Sequence, residues 1–151
     1  GYDISLESLA IAKKTNPNAQ FITEDSLDKY ANMFDIILIA NVFHHIPYQY
    51  QHSAMQTAKL LLRASGEIFI VEHNPYNLMT LRAVNTCEFD KNAVLLKPNV
   101  MKALVRETGL DIINQGYTLF FPTSIRYFQP VEKYMSGLPF GAQYYIQAQK
   151  R

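Results

Sequence analysis

The sequence predicts an α/β fold: a mostly parallel sheet with helices on both faces, closed by an antiparallel strand pair near the C-terminus. Three observations carry this. The run Ile36 to Ala40 is aliphatic with no polar alternation, the mark of a strand buried on both faces under helices. Strand-like and helix-like segments alternate along most of the chain, which gives parallel strands with right-handed crossovers. Residues 142–149 then alternate apolar Ala142, Tyr144, Ile146 and Ala148 with Gln143, Tyr145, Gln147 and Gln149. Only a connection of about 20 residues separates this strand from the one before it, so the last two strands are expected to pair antiparallel at a sheet edge.

The elements follow in order. Gly1 to Ser5 reads as the tail of a strand entering a helix, with Ser5 as N-cap and Glu7 favourable in the first turn. Leu6, Leu9 and Ala10 lie on one helical face, and Asn16-Pro17-Asn18 ends the helix. Gln20 to Thr23 is a short strand with Glu24-Asp25-Ser26 at its carboxyl end. The strand 35–40 follows and ends in Asn41, then the pair His44-His45 before Pro47. Ala54, Ala58, Leu61 and Leu62 recur at helical spacing over 48–63. Ala64-Ser65-Gly66 turns the chain into a second buried strand, 67–72, which runs out into His73-Asn74-Pro75-Tyr76-Asn77. Residues 78–88 read as a helix and 90–97 as irregular. Pro98 opens another helix, and Gly109 stops it at C′. A strand spans 111–121, and the connection 122–141 holds a short helix near 131–135.

Bulk properties exclude several classes. At 151 residues the chain is expected to be one domain, 1–151, with length enough for a core. Hydrophobic residues make up 48% and charged residues 18%, which excludes a disordered chain. The net charge is +1 and no basic cluster occurs, so neither nucleic acid nor a membrane surface is expected as a partner. The single Cys87 can form no intrachain disulfide, and no signal peptide or apolar run of about 18 residues is present, so a cytoplasmic location is expected.

Polar residues at the carboxyl ends of strands in an open α/β sheet stand where ligands bind. With this arrangement the chain resembles the class I S-adenosylmethionine-dependent methyltransferases, whose Rossmann-like sheet has a last strand inserted antiparallel beside its neighbour. The resemblance is carried by Gly1-Tyr2-Asp3-Ile4-Ser5 and its helix, by Glu24-Asp25-Ser26, by the segment from Phe34 to Ile46, and by the segment from Leu60 to Glu72. It implies S-adenosylmethionine as cofactor and a small molecule as methyl acceptor. It further implies that Asp3 accepts from the ribose hydroxyls, that Ile4 packs on the adenine, and that Asp25 with Ser26 meets the adenine amino group. Asn41 and Val42 match the turn near the methionine part. One departure stands out. The family's first strand and Gly-rich turn would precede Gly1, and no Gly-x-Gly occurs in the sequence. The chain therefore reads as N-terminally truncated, with the first strand missing from the middle of the sheet. Impaired cofactor binding is expected, and a homo-oligomer could complete the sheet.

Methyl transfer needs alignment above all, and a base only where the acceptor must lose a proton. His45 and His73 are the candidate bases, because histidine titrates near neutrality. His44, Asn74, Tyr76 and Arg82 are candidate substrate contacts. For the histidine pair a second reading stays open, that of residues fixing the local backbone at a helix start. Arg82 reads equally as a solvated helix residue. No metal-ligand spacing links the four His, the Cys and the carboxylates, so no metal is expected. Two other classes remain: a catalytically inactive oligomeric interaction module, and a nicotinamide-dependent oxidoreductase that uses Asp3 for a ribose.

Overall fold

A computed structural model describes residues 1–151, apart from the side chains of Thr123 and Arg126. Four strands form one sheet: β1 (Phe34–Ala40), β2 (Leu62–His73), β3 (Leu110–Thr118) and β4 (Gln143–Lys150), in the order β1-β2-β4-β3. β1 and β2 run parallel, while β4 is inserted antiparallel to both β2 and β3. A separate parallel bridge joins Tyr2 to Ile22. The two short strands expected near 1–5 and 20–23 are reduced to this one bridge. Among the described residues neither is paired with β1, which forms the edge of the four-stranded sheet.

Four helices connect these strands: α1 (Leu6–Thr15), α2 (Tyr48–Leu61), α3 (Leu78–Thr86) and α4 (Pro98–Glu107). The expected caps are present. The Ser5 hydroxyl accepts from the Ser8 amide, Pro98 opens α4, and Gly109 takes a φ of +73° just beyond it. The core lies on one face of the sheet. Ile68 and Ile70 of β2 and Tyr144, Ile146 and Ala148 of β4 pack there with Met55 and Ala58 of α2 and Met101, Leu104 and Val105 of α4. The alternation read at 142–149 is the burial pattern of β4.

The expectation that the 35–40 strand is buried on both faces needs correction. Ile37 and Ile39 pack on the core, but Ile36 and Leu38 are 62% and 68% exposed. The reason is topological: β1 is an edge strand, and no described helix covers its other face. α1 matches this openness, with no buried residue and with Leu6 and Ile11 exposed.

β2 begins five residues before its expected start and absorbs the expected turn. Phe34 lies opposite Leu62 but Ile36 opposite Glu67, so extra β2 residues bulge out, with Ser65 at φ 61°. Gly66 sits in this bulge, where a Cβ would lie 2.9 Å from the Phe34 carbonyl oxygen and 3.0 Å from that of Arg63. Both obstacles are backbone, so Gly66→Ala must push strands apart. We expect it to destabilise the fold by about 1–3 kcal/mol, the usual penalty of overpacking, read as a lower urea midpoint. An unchanged midpoint would mean the bulge is soft.

Candidate active site

The site begins where β1 ends. Asn41 takes a positive φ of 55°, and its amide donates to the Val71 carbonyl, the last backbone link between β1 and β2. Asparagine tolerates this left-handed conformation better than most residues. The turn directs the chain across the carboxyl end of β2, and Gln143 of β4 donates to the Asn41 side-chain oxygen.

Beyond Asn41 comes a short 3-10 turn, Phe43–His45, and the amides that lead into it, those of Val42 and Phe43, lack a carbonyl partner within the turn. Glu72 supplies the acceptor. Its Oε1 accepts from the amides of Val42 and Phe43 at 3.0 and 2.7 Å. Its Oε2 lies 2.6 Å from His44 Nδ1. Glu72, His44 and Phe43 are all but inaccessible to solvent. At the other end of the turn, Gln51 of α2 donates to the Phe43 and Ile46 carbonyls. The histidine pair is thus held from both sides.

A third segment closes over it. The Val94 amide donates to the His44 carbonyl, and turns at Cys87–Asp90 and Asp90–Ala93 bring the Asp90 carboxylate against the histidines. Asp90 Oδ1 is 3.3 Å from His45 Nε2 and 3.6 Å from His44 Nε2. His73, next to Glu72 on β2, packs its ring 5.1 Å from that of His44. Burial opposes charge on His44, but the hydrogen bond to Glu72 and the carboxylates of Glu72 and Asp90 outweigh it and raise the pKa. His73 shifts the opposite way, lowered first by burial and then by His44.

The candidate residues therefore separate. His44, His45 and His73 converge, with Asn41 and Val42 at the root of the same turn. His44 is buried, with Nδ1 engaged by Glu72, whereas His45 and His73 remain accessible. Asn74 is fully buried, donating to the carbonyls of Pro139 and Gly141 and accepting from the Tyr76 amide. These bonds fasten the 139–142 segment to the end of β2 and leave Asn74 no free polar atom facing solvent. Tyr76 and Arg82 are exposed. Asp3 and Asp25 are exposed beyond the carboxyl ends of the parallel pair Tyr2 and Ile22, with Ser26 half-buried. Ile4 is 81% exposed. Glu72 and Asp90 were not among the candidates. Glu72 had a signal, a carboxylate ending an otherwise apolar strand. Asp90 had none, since only the fold brings a residue of the irregular 90–97 stretch to His45.

The comparisons with known proteins bear on this arrangement. The family model for a methyltransferase domain matches residues 1–70. A S-adenosylmethionine-dependent methyltransferase from Archaeoglobus fulgidus superposes with a TM-score of 0.66 at 16% identity, over 99% of this chain and 75% of that one. Another from Thermotoga maritima, described as a possible histamine N-methyltransferase, gives 0.74 at 17% identity, over 100% and 72%. A third from Mesorhizobium loti gives 0.64 at 17%, over 99% and 79%. Among curated proteins none matches the sequence. The chain has the fold of these S-adenosylmethionine-dependent methyltransferases. In this methyltransferase fold β1 and β2 are the parallel strands whose carboxyl ends carry the histidine cluster. The inserted antiparallel strand expected from the sequence is β4.

Glu72 binds two amides and an imidazole, and a neutral amide cannot replace all three acceptor contacts. Glu72→Gln is expected to lose about 1.5–3 kcal/mol, the range for hydrogen bonds to a charged group, measured by urea unfolding. A double-mutant cycle with His44→Ala should return a coupling of at least about 0.5 kcal/mol for residues in one network. Additive losses would show that the pair is not coupled.

Proposed function

We propose that the chain takes part in methyl transfer to a small-molecule acceptor, with the acceptor held at the carboxyl ends of β1 and β2. The observation that carries this reading is the histidine cluster. A buried carboxylate fixes the turn, and two accessible imidazoles, His45 and His73, are left beside it.

The residues assigned to the cofactor fit its chemistry. Asp3 is an exposed carboxylate whose Oδ1 accepts from the Ser5 amide, and the other oxygen is available to a diol. Ile4 offers an uncovered apolar surface suited to a flat ring. Asp25 and Ser26 supply polar groups near that ring, and Asn41 and Val42 stand nearer the chemistry. Bound there, S-adenosylmethionine supplies an electrophilic methyl group. The protein's part is alignment, which accounts for much of the acceleration in such displacements. His45 and His73 accept the proton of an acceptor that must lose one, and Tyr76 and Arg82 at the rim contact its polar groups. His44 and Asn74 hold these groups in place.

Titration with S-adenosylhomocysteine, followed by amide NMR, tests the cofactor site. Shifts are expected at residues 3–5, 24–26 and 41–42, with binding weaker than micromolar for the chain alone. Asp3→Asn should lower the affinity by about tenfold or more, the worth of a charge-assisted hydrogen bond. Shifts confined to other residues, or an Asp3→Asn variant that binds equally well, would overturn the assignment.

The open edge of β1 supports a further part of this reading, that a second copy of the chain completes the sheet. An unpaired strand edge with exposed Ile36 and Leu38 invites pairing. Light scattering should give a concentration-dependent dimer, and Ile36→Lys with Leu38→Lys should abolish it. A monomer at every concentration would exclude this pairing.

A further inference from the structure

The groups His44, His45 and Asp90 have more order than a methyl-acceptor cleft requires. We propose that they form a binding site for a divalent transition metal, with Zn2+ the ion best suited to it.

The ligand atoms are already gathered. His44 Nε2, His45 Nε2 and a carboxylate oxygen of Asp90 all lie within 4.8 Å of one another. Two of the separations are 3.3 and 3.6 Å. A tetrahedral Zn2+ with bonds of about 2.0–2.2 Å has ligand atoms about 3.4 Å apart, the edge of that tetrahedron. Both separations bracket this value. They are longer than the 2.7–2.9 Å or so of a charge-assisted hydrogen bond between the same groups.

The surroundings are those of a metal site too. An ionised Glu72 can only accept, so the proton on His44 lies on Nδ1. The remaining nitrogen, Nε2, faces the Asp90 carboxylate, which attracts positive charge to that point, whether a proton or a metal ion. A carboxylate that receives the second imidazole nitrogen is the usual outer partner of a ligating histidine, fixing both ring orientation and tautomer. Glu72 is in turn anchored by two backbone amides, so the partner is itself rigid. Asp90 is held by the turns on either side of it and by the Val94–His44 backbone link.

The chemistry of the donors selects the ion. Two imidazoles and one carboxylate suit a borderline metal, and hard Mg2+ or Ca2+ would demand more oxygen ligands. The exposure is graded: 1% for the His44 side chain, 15% for Asp90 and 43% for His45. Three protein ligands with one side open leave a position for water or for an acceptor atom. With the metal bound, His45 gives its Nε2 to the ion, and His73 is the imidazole that remains for proton transfer.

Isothermal titration with Zn2+ and visible spectroscopy with Co2+ test this on the intact chain. One equivalent should bind, and Co2+ should give the intense d–d bands of a tetrahedral complex. Excess Mg2+ should not compete. His45→Ala and Asp90→Asn should each weaken binding by more than the 10–100-fold or so that loss of an outer partner costs, and Glu72→Gln should fall within that range. His45 is exposed, so His45→Ala should keep its far-ultraviolet circular dichroism and remain a fair test. Absence of stoichiometric binding, or binding that survives His45→Ala and Asp90→Asn but is lost in His52→Ala, would overturn the proposal.

Discussion

The Glu72 carboxylate is the point on which the site depends. It ends a buried strand, where a charge is costly unless fully hydrogen-bonded. Three donors meet it: two amides of the following turn and one imidazole. Those amides have no other partner in a turn of three residues, so the need is mutual. A buried charge and an unsatisfied turn stabilise each other, and their combination sets the direction of His44, the place of His45 and the tautomer of the buried ring. Gln51 then closes the carbonyl side of the turn from α2, tying the site to the same helix that covers the core.

The sheet itself is asymmetric, and this follows from β1. Its inner residues, Ile37 and Ile39, belong to the core under α2 and α4. Its outer residues belong to nothing described. β2 and β4 are paired along most of their length, so the rigid part of the molecule is the centre of the four-stranded sheet. The Tyr2–Ile22 pair and α1 are attached less firmly, through the 24–30 turn and the backbone links of Asn32 and Met33 to Leu60 and Leu61. Asp3 and Asp25, the residues proposed to meet the cofactor, thus ride on the weakly held part, while the histidines ride on the rigid part. Opening within a fold concentrates where buried apolar contacts are few, so the part that carries Asp3 and Asp25 is the part expected to move.

How much of this was legible in the sequence depends on how local each cause is. The helix limits at Ser5, Pro98 and Gly109 were readable because caps act within one turn of chain. The alternation of β4 was readable because one face of it meets a core and the other does not. The burial of Ile36 and Leu38 was misread. A wholly apolar run describes a strand covered on both faces, and coverage is decided by partners that lie elsewhere in the fold. The 64–66 turn was misread for a related reason. Ser and Gly signal a change of direction, but pairing with β1 carries the strand through it as a bulge. The histidine pair was visible from its place after a buried strand. Its partners were less so: Glu72 is 28 residues from His44, and Asp90 lies in a stretch with no periodicity at all.

That last point explains why spacing alone excluded a metal while the fold gathers three ligand atoms. Ligand spacing rules work where a short loop or a single helix supplies the donors, because only then does separation along the chain fix separation in space. Here two donors come from a turn held by β2, and the third comes from a segment laid across that turn by the Val94–His44 link. Each is positioned by backbone hydrogen bonds that no side-chain pattern records. A site of this kind is found by asking which buried polar groups already have their outer partners. His44 does, in Glu72, and the nitrogen left over points at Asp90.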